Sequence, residues 1–111
     1  MTDHPRIIER LLALAERLYA DTEGFLDQPG QQQLWYDRGY ANGMIQALRE
    51  AGAGERVAAR LTPDAQDVAA DWAALAWGQA YAHGHAMGLR EAREVLGLPV
   101  GAANDAGANG G

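Results

Sequence analysis

Ile7, Leu11, Leu14 and Leu18 fall on a 3.6-residue period, with Ile8, Leu12, Ala15 and Tyr19 in the adjacent row and Glu9, Arg10, Glu16 and Arg17 outside the stripe. This predicts an amphipathic helix over about 5–21, announced by Asp3 and Pro5. Residues 21–30, rich in acid, Gly and Pro, read as a loop, with Asp27 placed to cap the next helix. That second helix is expected over about 29–51. Tyr36, Tyr40, Gly43 and Ala47 lie along one face of it, Met44 and Leu48 sit beside them, and Gly52 stops it. Residues 55–61 suit one or two helical turns. Thr62-Pro63-Asp64 then has the form of a helix start, and helical spacing continues to about Leu96, before Gly97 and Pro99. A single helix over that stretch would be about 50 Å long at 1.5 Å per residue. That is long for so small a domain, and a break is expected within 71–78.

Two of these segments resemble each other. Residues 34–51, LWYDRGYANGMIQALREA, align without a gap to 75–92, LAWGQAYAHGHAMGLREA, and eight of the 18 positions are identical at an offset of 41. Such self-similarity points to one helical unit used twice, each copy covering the face the other leaves open. Gly39 and Gly43 in the first copy, and Gly84 and Gly88 in the second, are spaced by four and so share a face. Each weakens an isolated helix by about 1 kcal/mol relative to alanine. Glycine in that position lets another backbone approach, so these faces are expected to pack on each other, within the chain or across a dimer, with Tyr40 and Tyr81 as flanking anchors. Trp77, Tyr81 and His85 form a ladder on the second copy that reads as a core or interface stripe. The predicted architecture is an all-α bundle of three to four helices over 1–96, followed by a flexible Gly/Ala/Asn-rich tail over 97–111.

Composition narrows the chemistry. The 111 residues are 48% hydrophobic and 22% charged, as in a soluble globular domain. Cysteine, serine and lysine are absent and all nine basic residues are arginine, so thiolate metal sites, serine, cysteine or lysine nucleophiles and the P-loop lysine are excluded. A net charge of −6, with the arginines scattered among acids, opposes binding to nucleic acid or to an anionic membrane. The N-terminal residues carry charge on both sides of a short apolar stretch and show no signal peptide, which makes a cytoplasmic location the expectation. His83 and His85 are two residues apart, about 200° around a helix, and have no acidic or histidine neighbour at helical ligand spacing, so no metal site is expected there. Asp64, Asp67 and Asp71 share a helix face where a divalent cation or an acid/base pair is conceivable. Asp64 and Asp67 are better explained as complementing the dipole of a helix start, and Asp71 as a solvated side chain. Asp21-Thr22-Glu23-Gly24 lacks the alternating ligands of a calcium loop.

Trp35 shares a side of its helix with Arg38, Asn42 and Arg49, and its counterpart in the repeat is only Ala76. A tryptophan among arginines is the composition of a partner-binding hot spot, and equally of a bundle edge capped by an aromatic. GYANG and YAHG, each followed by LREA, resemble the Gly-Tyr-x-x-Gly helices of small orphan proteins from bacteriophages of GC-rich hosts. That resemblance implies a short accessory protein acting by binding. The sequence therefore leads to a non-enzymatic protein-interaction module without cofactor or metal, self-associating as a dimer, with Trp35, Arg38, Asn42 and Arg49 toward a partner. Tyr36, Tyr40, Gly43, Trp77, Tyr81, Gly84, His85 and Gly88 form its packing or dimer face. Two rivals stand beside it: a structural assembly subunit, and a ligand-binding protein or enzyme using Tyr81 and His85 with a nearby carboxylate. A concave pocket enclosing His85 and a carboxylate favours the last; a flat apolar patch around Trp35 favours interaction.

Overall fold

The computed structural model of the chain describes residues 4–28, 30–64 and 75–98. Within them lie four α-helices and no strand: α1 (His4–Asp21), α2 (Gln32–Glu50), α3 (Gly54–Arg60) and α4 (Ala76–Leu96), with a 3₁₀ turn at Phe25–Asp27 between α1 and α2. The all-α prediction stands, and α1 and α2 begin and end close to where their periodicity places them. No helix here is long and apolar enough to cross a membrane.

The centre of the fold is a contact of backbone on backbone between α2 and α4. A methyl group added at Gly39 would lie 2.1 Å from the Tyr81 carbonyl oxygen, and one at Gly43 2.2 Å from that of His85. In the other direction, Gly84 would meet the Tyr36 carbonyl at 2.0 Å and Gly88 that of Tyr40 at 2.1 Å. No side chain fits these spaces, so glycine at all four positions follows from the approach of the helices. The carbonyls lie where Cα–H···O contacts form, the interaction that recurs at close helix crossings. The glycine faces thus pack within one chain. Because the partners advance together (Tyr36 with Gly84, Tyr40 with Gly88), the two helices run parallel.

The contacts are also reciprocal, and this corrects the register of the repeat. What Gly39 does to Tyr81, Gly84 does to Tyr36, and Gly43 and Gly88 form the second such pair. The equivalent residues are therefore 36 and 81, 39 and 84, 43 and 88, 47 and 92, all 45 positions apart rather than 41. In this register YDRGYANG and YAHGHAMG share Tyr, Gly, Ala and Gly. The helix ends agree with it. Gly52 and Gly97, again 45 apart, both take the left-handed conformation, at φ 86° and 77°. At the first, Gly52 N–H donates to the Arg49 carbonyl at 3.0 Å and Ala53 N–H to that of Leu48 at 2.9 Å. At the second, Gly97 N–H donates to Glu94 at 3.2 Å and Leu98 N–H to Arg93 at 2.8 Å. Both are Schellman caps, a geometry glycine adopts without steric cost. Leu98 packs back on the core, so the expected tail is ordered at its first two residues; 99–111 lie outside the described residues.

α1 lays Ile8, Leu12 and Ala15 against Met44, Ile45 and Leu48 of α2 and Leu96 of α4, with Val57 of α3 closing the group. Two expectations fail. Asp27 belongs to the 3₁₀ turn, and α2 starts after Gln31 without a side-chain cap. Residues 61–64 are not helical despite the Thr62-Pro63-Asp64 signal, and Leu75, extended at φ −97° and ψ 156°, precedes α4. No continuous helix therefore runs from 62 to 96. Asp67, Asp71 and much of the expected break lie outside the described residues.

Alanine at Gly43 or Gly84 is expected to cost at least about 2 kcal/mol, because a carbonyl must move to admit the methyl. Gly54→Ala, where the nearest atom is the flexible Arg49 Cγ at 3.6 Å, should change stability by less than about 1 kcal/mol. Urea denaturation of the three variants checks the contrast.

Candidate functional site

Trp35 is 1% exposed and lies in a second core with Phe25 and Tyr81. Its ring meets Phe25 edge-on at 4.9 Å and 76°, and its indole N–H donates to the Gln28 carbonyl at 3.1 Å. The expectation of Trp35 at a binding surface is corrected: Phe25 and the 3₁₀ turn fold over it, and Trp77 stands 6.4 Å away on the α4 side. Phe25, the only phenylalanine in the chain and placed in a stretch that reads as loop, is the residue that sequence reasoning passes over.

Arg38 is likewise turned inward. Its guanidinium donates through Nε and Nη2 to the two Asp64 carboxylate oxygens at 2.8 and 3.1 Å, and through Nη1 to the Thr22 hydroxyl at 2.9 Å and the Tyr19 carbonyl at 3.1 Å. It also lies 3.6 Å over the Tyr19 ring. With side chains only 11% and 17% exposed, Arg38 and Asp64 form a two-pronged pair tying the segment after α3 to α1 and α2. Asn42 completes the knot. Its Nδ2 donates to Asp64 at 2.9 Å and to the Tyr81 hydroxyl at 2.6 Å, while its Oδ1 accepts from the Tyr19 hydroxyl. The Tyr19 hydroxyl accepts in turn from Asp64 N–H at 2.9 Å. This capture of both the carboxylate and the amide of Asp64 is why the Thr-Pro-Asp signal starts no helix at 62–64.

The titration behaviour reflects these contacts. Burial alone pushes the Asp64 carboxyl up, but hydrogen bonds from Arg38 and Asn42 outweigh it and hold the group below its ordinary value, ionised at neutral pH. Burial raises the Tyr19 phenol to about 12 and moves Tyr81 in the same direction, so both stay protonated.

Beside this knot a cleft of about 570 Å³ opens between α2, α4 and the residues after α3. α2 contributes Asn42, Ile45, Gln46, Arg49 and Glu50; Pro63 and Asp64 form one wall; Tyr81 and His85 come from α4. Tyr81 and His85 are stacked one turn apart, at 6.5 Å and 26°. Glu50 is held by Arg93, whose Nε and Nη2 donate to it at 2.8 and 2.7 Å, and these bonds lower its carboxyl pKa. Of the expected partner-facing set, then, Trp35 and Arg38 are interior, while Asn42 and Arg49 meet again in the cleft. Of the expected packing face, Tyr36, Tyr40, Tyr81 and His85 give carbonyls to the glycine contacts, Gly43, Gly84 and Gly88 receive them, and Trp77 joins the second core. Among the described residues no three His, Asp or Glu side chains cluster as metal ligands do.

Comparison with known protein families, curated proteins and solved structures returns no match.

His85 provides a pH prediction. Burial, with the Arg93 charge adding to it, holds the imidazole below its ordinary 6.5. The unfolded chain then takes up this proton first, so the stability tied to neutral His85 is present above about pH 6.5 and lost as pH falls through the folded value. The melting temperature should drop from about pH 7 to 5 by more in the wild type than in His85→Gln. Parallel thermal melts of the two proteins check it.

Proposed function

We propose that this protein binds a small polar ligand in the cleft between α2 and α4. The observation that carries this reading is the convergence of side chains with spare hydrogen-bonding capacity on one concavity of about 570 Å³, within the usual size of ligand sites. Gln46, Arg49, Tyr81 and His85 come from two helices whose relative position is fixed by backbone contact, and Asp64 closes one wall through a hydrogen-bonded knot. Such a site is rigid before the ligand arrives, which lowers the entropic cost of binding.

The surroundings support binding rather than turnover. Both carboxylates among the described cleft residues are paired with arginine, and the Tyr81 phenol is held protonated. The neutral His85 imidazole makes no hydrogen bond among the described residues to a carboxylate that would orient it as a general base. The alternative of a protein-interaction module draws on an exposed Trp35 and on glycine faces free for a second copy. Trp35 is interior and the glycines are used within the chain, so neither feature argues for a partner protein or a dimer.

A fragment library titrated into ¹⁵N-labelled protein tests the proposal. Binders should shift the amides of Asn42, Gln46, Tyr81 and His85 saturably, and Gln46→Trp, which fills the cleft from a half-buried position, should abolish those shifts while the fold persists. Shifts scattered over the surface, or none, contradict it.

A further inference from the structure

The reciprocal contact relates the two sides of the α2–α4 pair by an approximate two-fold, which gives the cleft an internal reference. On the side away from the cleft, Tyr36 and Tyr40 lie with rings tilted at 6.4 Å and 31°, close in spacing to the stacked Tyr81 and His85 at 6.5 Å and 26°. There the Tyr40 hydroxyl donates to Glu91, and the polar groups satisfy each other. Shifted by 45 positions, Tyr40 corresponds to His85 and Glu91 to Gln46, both lining the cleft. The equivalent bond is not made. Gln46 instead reaches Glu50 at 3.4 Å, and the His85 ring nitrogens make no hydrogen bond among the described residues. One side of the pair is closed on itself, while on the other the described residues do not make the matching bond.

The charges say what a ligand of the cleft carries. Among the described residues, three charged groups of fixed sign line the cleft: Asp64, Glu50 and Arg49. Arg38 and Arg93 each donate two hydrogen bonds to their carboxylate, so the two negative charges are compensated. Arg49 makes no ion pair and no side-chain hydrogen bond among the described residues. Among the described residues the cleft therefore presents one positive charge that no carboxylate compensates, in a chain of net charge −6. Its open hydrogen-bonding groups add donors. The Tyr81 hydroxyl accepts from Asn42, leaving its own proton for an acceptor in the cleft, and a neutral imidazole offers one N–H.

We propose that the ligand is bound through an oxyanion, a carboxylate or a phosphate, held by the Arg49 guanidinium and completed by the Tyr81 hydroxyl and the His85 imidazole. This deepens the ligand-binding reading and rests on it. A guanidinium and an oxyanion make the shorter, stronger class of hydrogen bond, and a carboxylate or phosphate matches the planar fork of arginine.

Four probes of one size separate the outcomes: benzoate, phenyl phosphate, benzamide and benzylamine, each titrated into the ¹⁵N-labelled full chain. Benzoate or phenyl phosphate should shift Gln46, Arg49, Tyr81 and His85 saturably, and the comparison of the two distinguishes carboxylate from phosphate. Benzamide should bind at least about tenfold more weakly, the loss of one charged hydrogen bond, and benzylamine more weakly still. Arg49→Gln should bring the anion down to the affinity of benzamide with no change in melting temperature, since the side chain is exposed. Tyr40→Phe, on the closed side, should leave anion affinity unchanged. The oxyanion assignment is overturned if benzamide or benzylamine binds as tightly as the anions, or if Arg49→Gln keeps their affinity; the cleft itself then still binds. If no probe shifts a cleft residue of the folded wild-type protein, the ligand-binding reading fails with it.

Discussion

Everything in this protein depends on how closely two parallel helices approach. Where side chains separate helices, axes usually lie about 8–10 Å apart and polar groups on the two surfaces stay distant. Here the carbonyls of Tyr36, Tyr40, Tyr81 and His85 occupy the spaces that β-carbons would take at Gly84, Gly88, Gly39 and Gly43. Four glycines in helix interiors oppose helix formation by about 1 kcal/mol each. The close contact offsets this with dispersion along the whole seam and with Cα–H···O interactions at each crossing carbonyl. One result is local chemistry: Asn42 on one helix donates to the Tyr81 hydroxyl on the other at 2.6 Å.

The second organising contact is the capture of Asp64. A chain leaving α3 has to return to the start of α4, because parallel helices cannot be joined by a tight turn. The Arg38–Asp64 pair, Asn42 and Tyr19 hold the beginning of that return against α1 and α2. Removing one member of such a pair leaves the other charge poorly solvated, which makes the cluster more sensitive than any exposed ion pair on the surface. It also makes the two sides of the α2–α4 pair unequal. The side bearing Asp64 becomes a cleft, while the other is sealed by Tyr40 and Glu91. Near-symmetry in the backbone with asymmetry in side chains is the arrangement from which a site with one open face arises.

Much of this architecture is legible in the residues. The periodicity of Ile8, Leu12 and Ala15 locates α1, and glycines spaced by four announce the seam because no other residue permits that approach. The register is not legible. Identity counting favours an offset of 41 through Leu-Arg-Glu-Ala, yet Arg49, Glu50, Arg90 and Glu91 are all exposed and take no part in the glycine seam. The physical register of 45 preserves Tyr36/Tyr81, the glycine pairs, Ala47/Ala92 and the two helix-ending glycines, few in number but each dictated by contact. Periodicity misplaces Trp35 because helical spacing assigns a face without saying what covers it, and its cover, Phe25, comes from a stretch with no periodic signal. Asp64 reads as a helix start because local preference is a weak prior; a buried guanidinium outweighs it. Of the cleft, Asn42, Arg49, Tyr81 and His85 stand out in sequence but fall on two different faces, since only the seam brings them together.

The account stands on the register and closeness of the α2–α4 seam, and the most direct measurement is the set of nuclear Overhauser contacts made by the glycine α-protons in ¹³C,¹⁵N-labelled protein. The account predicts cross-helix contacts from Gly43 to the Leu89 amide and to His85, from Gly39 to Tyr81, from Gly84 to Tyr36 and from Gly88 to Tyr40. Glycine α-protons with contacts only inside their own helix, or with partners consistent with an offset of 41, would contradict it.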